Sequence, residues 1–313
     1  MANHNPARVV LMFLGFLTFL AAITLNSLSG FSNNLGIFTQ MTEDVSLKYT
    51  TLFTPAQWTF FVWDFIYFWV FAMFSYMVVG LCRRSAYGFM FTTPAVLPYG
   101  FHISVIINML FNITWLFLFD REMLFTVLIT SLLMTATSYM ILFFSCWGLR
   151  VYGGWLHKFH RTDLWLIRIL VQNGMAVYAT WGMLCTLLNL TIYLQYQTET
   201  LKCYCVMASL LLLLMELLAW FLLENFWLDN DVRYVLTIYP VVVLWLTATL
   251  QNSTSSGGHV YIFAAFILAV SCILFVVRIA LVTWRHYKRP LYSTSGLSMS
   301  PVEIALKHNK LFL

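Results

Sequence analysis

Eight runs of mostly apolar residues, each about as long as a membrane-spanning helix, limit what this chain can fold into. They cover residues 9–28, 57–81, 101–119, 123–147, 165–195, 204–227, 234–251 and 259–284. A helix needs about 20 such residues to cross the hydrocarbon of a bilayer, because each residue advances it by about 1.5 Å. Charged residues make up only 9% of the chain, whereas a soluble domain carries about 25%. The sequence therefore predicts an all-α polytopic membrane protein with eight transmembrane helices.

Lysine and arginine are unevenly divided between the two sides of the predicted helices. With the N-terminus in the cytoplasm, eight crossings place 14 of the 17 basic residues on the cytoplasmic side and three on the other. Because cytoplasmic loops carry such an excess, we expect both termini in the cytoplasm. The first run also has the form of a secretory signal peptide, although its length favours a retained helix. No basic face of the kind that binds nucleic acid is visible.

A carboxylate, Asp64, lies inside the aromatic stretch FTPAQWTFFVWDFIYFW. Counted along their helices, Asp64, Asn112 and Asn189 share one depth, roughly 10 Å below the outer ends. An unpaired carboxylate in hydrocarbon costs several kcal/mol, so Asp64 is expected to face the bundle interior, either paired or protonated. The aromatic residues within two turns of this layer are Trp63, Tyr67, Trp115 and Trp181. The sequence thus predicts an interior polar site near the outer surface, which the long loop 29–56 would cover.

Two further charged residues fall inside apolar runs. Glu216 lies near the middle of the sixth run with no basic residue at its depth, so it is either structural or part of a proton or cation path. Arg278 lies nearer the cytoplasmic end of the eighth run, where its side chain is expected to snorkel to the surface. Asp64 and the asparagines carry the same ambiguity, because polar groups can simply bond helices together.

Three motifs on separate helices give the chain a resemblance to a known family. Pro55 precedes the second run, which contains Val-Trp and a tyrosine four residues after the tryptophan. The third run contains LFNITWLFLF, and the fifth contains VYATWGMLCTLLN. The motif residues are Pro55, Val62, Trp63, Tyr67, Asn112, Trp115, Tyr178, Trp181 and Asn189. In order and spacing they resemble the TspO/MBR family of translocator and tryptophan-rich sensory proteins, over about residues 8–196. The resemblance implies that the first five helices form a TspO-like bundle whose cavity binds tetrapyrroles, sterols and aromatic ligands.

The resemblance also implies a division of the chain and a set of cavity residues. Residues 1–196 would form the five-helix core, 197–285 three additional transmembrane helices and 286–313 a cytoplasmic tail. The residues expected to line or support the cavity are Trp63, Asn112, Trp115, Tyr178 and Trp181. Asp64 departs from the pattern, because the family usually has a small or hydroxyl residue there. A carboxylate at this point would repel an acidic porphyrin and favour a cationic amphiphile.

Three functional hypotheses follow. The leading one is a membrane binding or receptor protein for a lipophilic molecule such as a tetrapyrrole or sterol, with the ligand-binding residues Trp63, Asp64, Tyr67, Asn112, Trp115, Tyr178, Trp181 and Asn189. The alternative is a transporter or proton-coupled carrier that uses Asp64 and Glu216. An enzyme is disfavoured, because the sequence shows no nucleophile–base pair, phosphate loop or metal-ligand cluster. Membrane lipid and a lipophilic small molecule are the expected partners, and a homodimer stays an open alternative.

Overall fold

The computed structural model describes residues 6–30, 36–85, 87–91, 93–198, 201–253, 258–292 and 300–308, and most of them are helical. The helices are α1 Pro6–Gly30, α2 Thr42–Lys48, α3 Phe61–Cys82, α4 Tyr99–Asp120, α5 Leu124–Phe159, α6 Arg161–Leu166, α7 Gly174–Gln197, α8 Lys202–Leu222, α9 Asp229–Val232, α10 Ile238–Asn252, α11 His259–Lys288 and α12 Pro301–His308. A 3₁₀ turn, Gln57–Phe60, leads into α3, and π-helical segments, Ile167–Asn173 and Leu223–Trp227, follow α6 and α8. The strands β1 Arg84–Ser85 and β2 Gly88–Phe89 form a small antiparallel hairpin.

Within the described part of the chain, seven helical spans are long and apolar enough to cross a membrane. They are Pro6–Gly30, Gln57–Cys82, Tyr99–Asp120, Leu124–Phe159, Arg161–Gln197, Lys202–Trp227 and His259–Lys288. The predicted span 234–251 contains only the shorter helix α10. Its 15 residues extend about 22 Å, less than the hydrocarbon thickness of about 30 Å. The all-α, multi-pass class is confirmed, whereas the count of eight full-length helices is not.

The helix α10 begins at Ile238, later than the predicted start at residue 234, and the segment before it is hydrogen-bonded to Asn173. The Nδ2 of Asn173 donates to the carbonyl of Tyr234, and its Oδ1 accepts a hydrogen bond from the backbone N–H of Leu236. The chain before α10 is thereby held against the π-helical segment that precedes α7. Because the helix begins at Ile238, Pro240 falls in its first turn, where the missing N–H costs little.

The helix α7 lies at the centre of the bundle. It contacts α3, α5, α8 and α10, and 83% of its most apolar stretch is buried, against 17% for α11. A Cβ added at Gly174 would lie 2.6 Å from Cδ1 of Trp69, so glycine permits the close approach of α3. On the other side, α5 packs on α4 and α4 packs on α1, which also meets α3. These five helices therefore surround a common space, while α8, α10 and α11 pack outside α7.

The helix ends gather at two faces. The loop before α3 defines the lid face, and the β1–β2 hairpin after α3 defines the hairpin face. Lys48 pairs with Glu122 at the lid face, whereas the arginines that pair with acids at the hairpin face are Arg83, Arg150, Arg233 and Arg285. The assignment of the hairpin face to the cytoplasm stays a prediction.

Arg278 is fully buried and does not reach the surface. Its Nη1 donates to Oδ1 of Asn225, its Nη2 donates to the carbonyl of Val232, and its Nε lies 3.3 Å from Oε2 of Glu224. Glu224 is also fully buried and accepts a hydrogen bond from the hydroxyl of Tyr239. The snorkelling prediction is wrong because a carboxylate, an amide and backbone carbonyls solvate the guanidinium inside the bundle.

Candidate functional site

A chamber of about 470 Å³ lies between α1, α3, α4 and α5 near the lid face. Five of the predicted site residues line it, namely Trp63, Asp64, Tyr67, Asn112 and Trp115. Its volume falls within the roughly 300–1,000 Å³ that small-molecule sites occupy. The structure therefore offers space for a ligand beside the layer of polar and aromatic residues predicted from the sequence.

A smaller chamber of about 90 Å³ adjoins the first on the side of α7 and α10. The two chambers share the wall residues Thr42, Phe60, Trp63, Trp115 and Cys185. Trp181 and Asn189 line the smaller chamber. Tyr178 lines neither, but its ring packs edge-on against Trp63, with centroids 6.3 Å apart. Seven of the predicted ligand-binding residues thus line one or both chambers, and the eighth supports their shared wall.

A row of hydrogen bonds fixes side chains in the wall of the larger chamber and connects three helices. The Nδ2 of Asn26 donates to Oδ1 of Asn112 at 2.9 Å, and the Nδ2 of Asn112 donates to the hydroxyl of Tyr67 at 3.3 Å. Trp63 stacks on Tyr67, with ring centroids 5.8 Å apart. Asn26 is absent from the predicted set, although an asparagine near the end of an apolar helix is the signal that would have found it.

Four of the residues that line the smaller chamber carry a buried N–H donor without an acceptor among the described residues. These donors are Nε1 of Trp115, Trp181 and Trp245 and Nδ2 of Asn189. The rings of Trp181 and Trp245 meet edge to face, with centroids 5.0 Å apart. Leaving a buried donor without an acceptor costs about 1–3 kcal/mol. Trp155 and Trp220, which line neither chamber, carry similar unpaired donors, so these groups do not by themselves mark a ligand position.

Asp64 is exposed, which differs from the predicted interior position. Asp64 lies in the first turn of α3 and shares a helix face with Phe61, Phe65 and Phe68, all of which are exposed. Asp64 and Phe61 on α3, like Ser27 and Gly30 on α1, are exposed while they also line the larger chamber. The chamber is therefore open between these two helices, with the Asp64 carboxylate at the opening.

A family profile described as "TSPO-like protein" matches residues 12–278. The chain belongs to the TSPO-like protein family. The resemblance derived from the three motifs is thus confirmed, and the match continues beyond the predicted 8–196 through α8 and α10 into α11. No curated protein and no solved structure matches the chain. With seven apolar helices of spanning length among its described residues, this TSPO-like protein is an integral, multi-pass membrane protein.

In this TSPO-like protein part of the loop after α1 lines the larger chamber. Thr42 and Glu43, in the first turn of α2, line the chamber from the lid face. Residues 31–35 of the loop lie outside the described part of the chain. We call residues 36–60 the lid.

Two acidic residues beside the α4–α5 turn hold the lid. The carboxylate of Asp120 accepts a hydrogen bond from the backbone N–H of Gln40 at 2.9 Å. The carboxylate of Glu122 accepts hydrogen bonds from the side chains of Lys48 and Tyr49. The bond from Lys48, followed by those from Tyr49 and Gln40, lowers the pKa of Glu122 to about 2.

The other end of the lid is tied to α7 and α10. The hydroxyl of Tyr196 donates to the carbonyl of Thr50 at 3.0 Å. The Nε1 of Trp58 donates to Oε1 of Gln251, also at 3.0 Å. The lid is therefore anchored on the α4–α5 turn, on α7 and on α10, while the gap between α1 and α3 lies beside it.

Glu216 lies outside both chambers of this TSPO-like protein. It is exposed on α8, and its carboxylate is close enough to Tyr139 of α5 to influence that hydroxyl electrostatically. The buried acid of this helical span is Glu224, which pairs with Arg278. Sequence reasoning missed Glu224, because its partner lies on α11, 54 positions further along the chain.

Proposed function

We propose that this TSPO-like protein binds a lipophilic small molecule in the two chambers beside its lid. In this proposal α1, α3, α4, α5 and α7 are the TspO-like five-helix core, and the residues that contact the ligand are Trp63, Asp64, Tyr67, Asn112, Trp115, Trp181 and Asn189. The observation that carries the proposal is the larger chamber of about 470 Å³, which Trp63, Asp64, Tyr67, Asn112 and Trp115 line. A chamber of this size with aromatic rings and a few polar side chains in its wall is typical of sites for small molecules.

The charges of the lining favour a ligand that is cationic at one end. Asp64 and Glu43 line the larger chamber, and neither chamber has a lysine or arginine among its lining residues in the described part of the chain. Two carboxylates attract an ammonium group and repel the carboxylates of an acidic porphyrin. We therefore favour an amphiphile with its cationic end at Asp64 and an aromatic, acceptor-bearing end near Trp181, where ring contacts add affinity.

The arrangement in the membrane is part of the proposal. We propose that α10, together with the segment before it, completes an eighth crossing, and that the hairpin face is cytoplasmic. The lid and the chambers are then on the exoplasmic side, and both termini are cytoplasmic. Accessibility of single cysteines to a membrane-impermeant thiol reagent tests this: a cysteine at Lys48 should react from outside intact cells, and one at Arg84 should not.

Equilibrium binding to the purified protein tests the ligand proposal. The ligand panel contains a cationic aromatic amphiphile, a neutral sterol and a dicarboxylic porphyrin, with tryptophan fluorescence quenching as the signal. The cationic ligand should bind most tightly. Asp64→Asn should weaken it about fivefold, the effect of about 1 kcal/mol for an exposed ion pair, and leave the sterol unchanged.

Matched tryptophan variants show whether the quenching comes from the chambers. Trp63→Phe should reduce the quenching amplitude, because Trp63 lines both chambers. Trp227→Phe is the control, because Trp227 ends the π-helical segment after α8 and is 80% exposed. Absence of saturable quenching by every ligand, or equal losses in the two variants, would overturn the proposal.

A proton-coupled carrier that uses Asp64 and Glu216 is the competing proposal. It requires the two carboxylates to serve one path, yet Asp64 lies at the chamber opening and Glu216 lies on the exposed side of α8. Flux into proteoliposomes of the cationic amphiphile, measured with and without a pH gradient, distinguishes the two functions. Gradient-driven flux that Glu216→Gln abolishes would favour the carrier, whereas saturable binding without flux favours the receptor.

A further inference from the structure

A third cavity lies at the hairpin face, far from the lid, and a buried arginine lines it. It has a volume of about 60 Å³ and is bounded by α1, α3, α4, α6 and the segment after the hairpin. Arg8, in the first turn of α1, lines this cavity and is only 9% exposed. A space of this size holds a few water molecules or one small head group. We call it the Arg8 pocket.

The positive charge of Arg8 has no carboxylate partner among the described residues. Its Nη1 donates to the carbonyl of Phe91 at 3.1 Å, and its guanidinium carbon lies 4.9 Å from the centre of the Tyr99 ring. Its Nε is buried and has no acceptor. The acid in the pocket wall, Asp163, is already held by both terminal nitrogens of Arg83. The pocket therefore carries one positive charge in excess.

The remaining lining indicates what kind of group would neutralise this charge. Arginine presents a planar fork of N–H donors that matches the oxygens of carboxylate and phosphate. His102 is buried, lines the pocket and adds a ring nitrogen to the polar side of the wall. Much of the rest of the wall is apolar and includes Met12, Met77 and Leu156. This combination suits an oxyanion that is attached to an apolar group.

We propose that the Arg8 pocket binds the oxyanion head group of a lipid from the leaflet at the hairpin face. The recognised chemistry is a phosphate or carboxylate oxygen that accepts from the Arg8 guanidinium, with the acyl part of the lipid against the methionine and leucine side chains. A free phosphate ion offers the same oxygens without the acyl part. This site is separate from the chambers at the lid face, and it does not depend on what those chambers bind.

Lipid binding to the purified full chain in a neutral detergent tests the proposal. Native mass spectrometry counts the bound molecules while the protein is titrated with short-chain phosphatidic acid, with short-chain phosphatidylcholine or with inorganic phosphate. Phosphatidic acid should bind with a stoichiometry of one and at least tenfold more tightly than phosphatidylcholine. Arg8→Gln should weaken phosphatidic acid at least tenfold and leave phosphatidylcholine unchanged.

Two further variants keep the test decisive. Arg161→Gln makes the same charge change on an exposed arginine outside the pocket, in the first turn of α6. This variant should bind phosphatidic acid as tightly as the wild type does. Arg8→Lys keeps the charge without the planar fork and should bind with intermediate affinity, which matters if Arg8→Gln folds poorly. Equal weakening by Arg8→Gln and Arg161→Gln, or full affinity in Arg8→Lys, would overturn the site. Tighter binding of inorganic phosphate than of phosphatidic acid would overturn the lipid source.

Discussion

The buried ion pair between Arg278 and Glu224 predicts a large loss of stability when only the arginine is removed. Both side chains are fully buried, and the Arg278 guanidinium also donates to the side chain of Asn225 and to the carbonyls of Val232 and Arg233. Arg278→Met removes these bonds and leaves a carboxylate without its partner in an apolar environment. Removing one partner of a buried pair costs about 3–5 kcal/mol, and we expect a loss of free energy of unfolding in this range.

The complementary variant should cost less. In Glu224→Gln the amide oxygen still accepts from the hydroxyl of Tyr239, and Asp229 stays 3.8 Å from the Arg278 guanidinium. We expect a loss of about 1–3 kcal/mol, typical of an unsatisfied buried group. The double variant should lose less than the sum of the two single losses, because no charge of the pair is left alone. Reversible unfolding in mixed micelles, followed by circular dichroism, measures the three free energies.

An exposed pair supplies the matched control. Arg150 lies 3.3 Å from Asp231, but 61% of its side chain is exposed, so Arg150→Met should cost no more than about 1 kcal/mol. The reasoning is refuted if Arg278→Met and Arg150→Met differ by less than about 0.5 kcal/mol. Strict additivity of the two single losses in the double variant would equally show that the buried charges are not coupled.

Two further predictions concern packing and the lid. Gly148→Ala should lower the thermal unfolding midpoint, because the new Cβ would lie 1.7 Å from the backbone oxygen of Val96, whereas Gly80→Ala has nothing within 4 Å and should raise stability by up to about 1 kcal/mol. Equal midpoints for the two variants would contradict the close approach at Gly148. Lowering the pH from about 4.5 to 2 should loosen the lid: the folded-state pKa of Glu122, about 2, is below its ordinary 4.5, so stabilisation present above pH 4.5 is lost as the carboxylate is protonated. Protection of the lid amides from hydrogen exchange, relative to the intrinsic rate at each pH, should fall in this window for the wild type and already at neutral pH for Glu122→Gln. Unchanged protection in both would contradict the role of Glu122 in holding the lid.

The helical class and the position of the candidate site could both be predicted from the sequence, for simple physical reasons. A chain in hydrocarbon must satisfy its backbone groups internally, so apolar runs of spanning length become helices. On a helix, residue spacing determines the face. Trp63 and Tyr67, four residues apart, stack on each other at the larger chamber, and Trp181 and Asn189, eight apart, line the smaller one.

The features that sequence reasoning missed depend on local helix geometry or on distant partners. Asp64 shares the exposed face of α3 with Phe61, Phe65 and Phe68, and a count of depth along the helix does not show which face is exposed. The π-helical segment Leu223–Trp227 contains the buried acid Glu224, whose importance depends on an arginine of another helix. The segment just before α10 is hydrogen-bonded to Asn173, whose bond to Leu236 joins residues 63 positions apart. No periodic pattern reveals such contacts.

The gap between α1 and α3 has a consequence for how any occupant would be delivered. Phe61 and Ser27 are exposed beside it while the lid is anchored at both ends, so we propose that a ligand enters the larger chamber from the lipid phase rather than from water. The bilayer then acts as a reservoir that concentrates hydrophobic solutes according to their partition coefficients. Occupancy should scale with the mole fraction of solute in lipid, and diluting the protein into more lipid at constant total solute should empty the chamber.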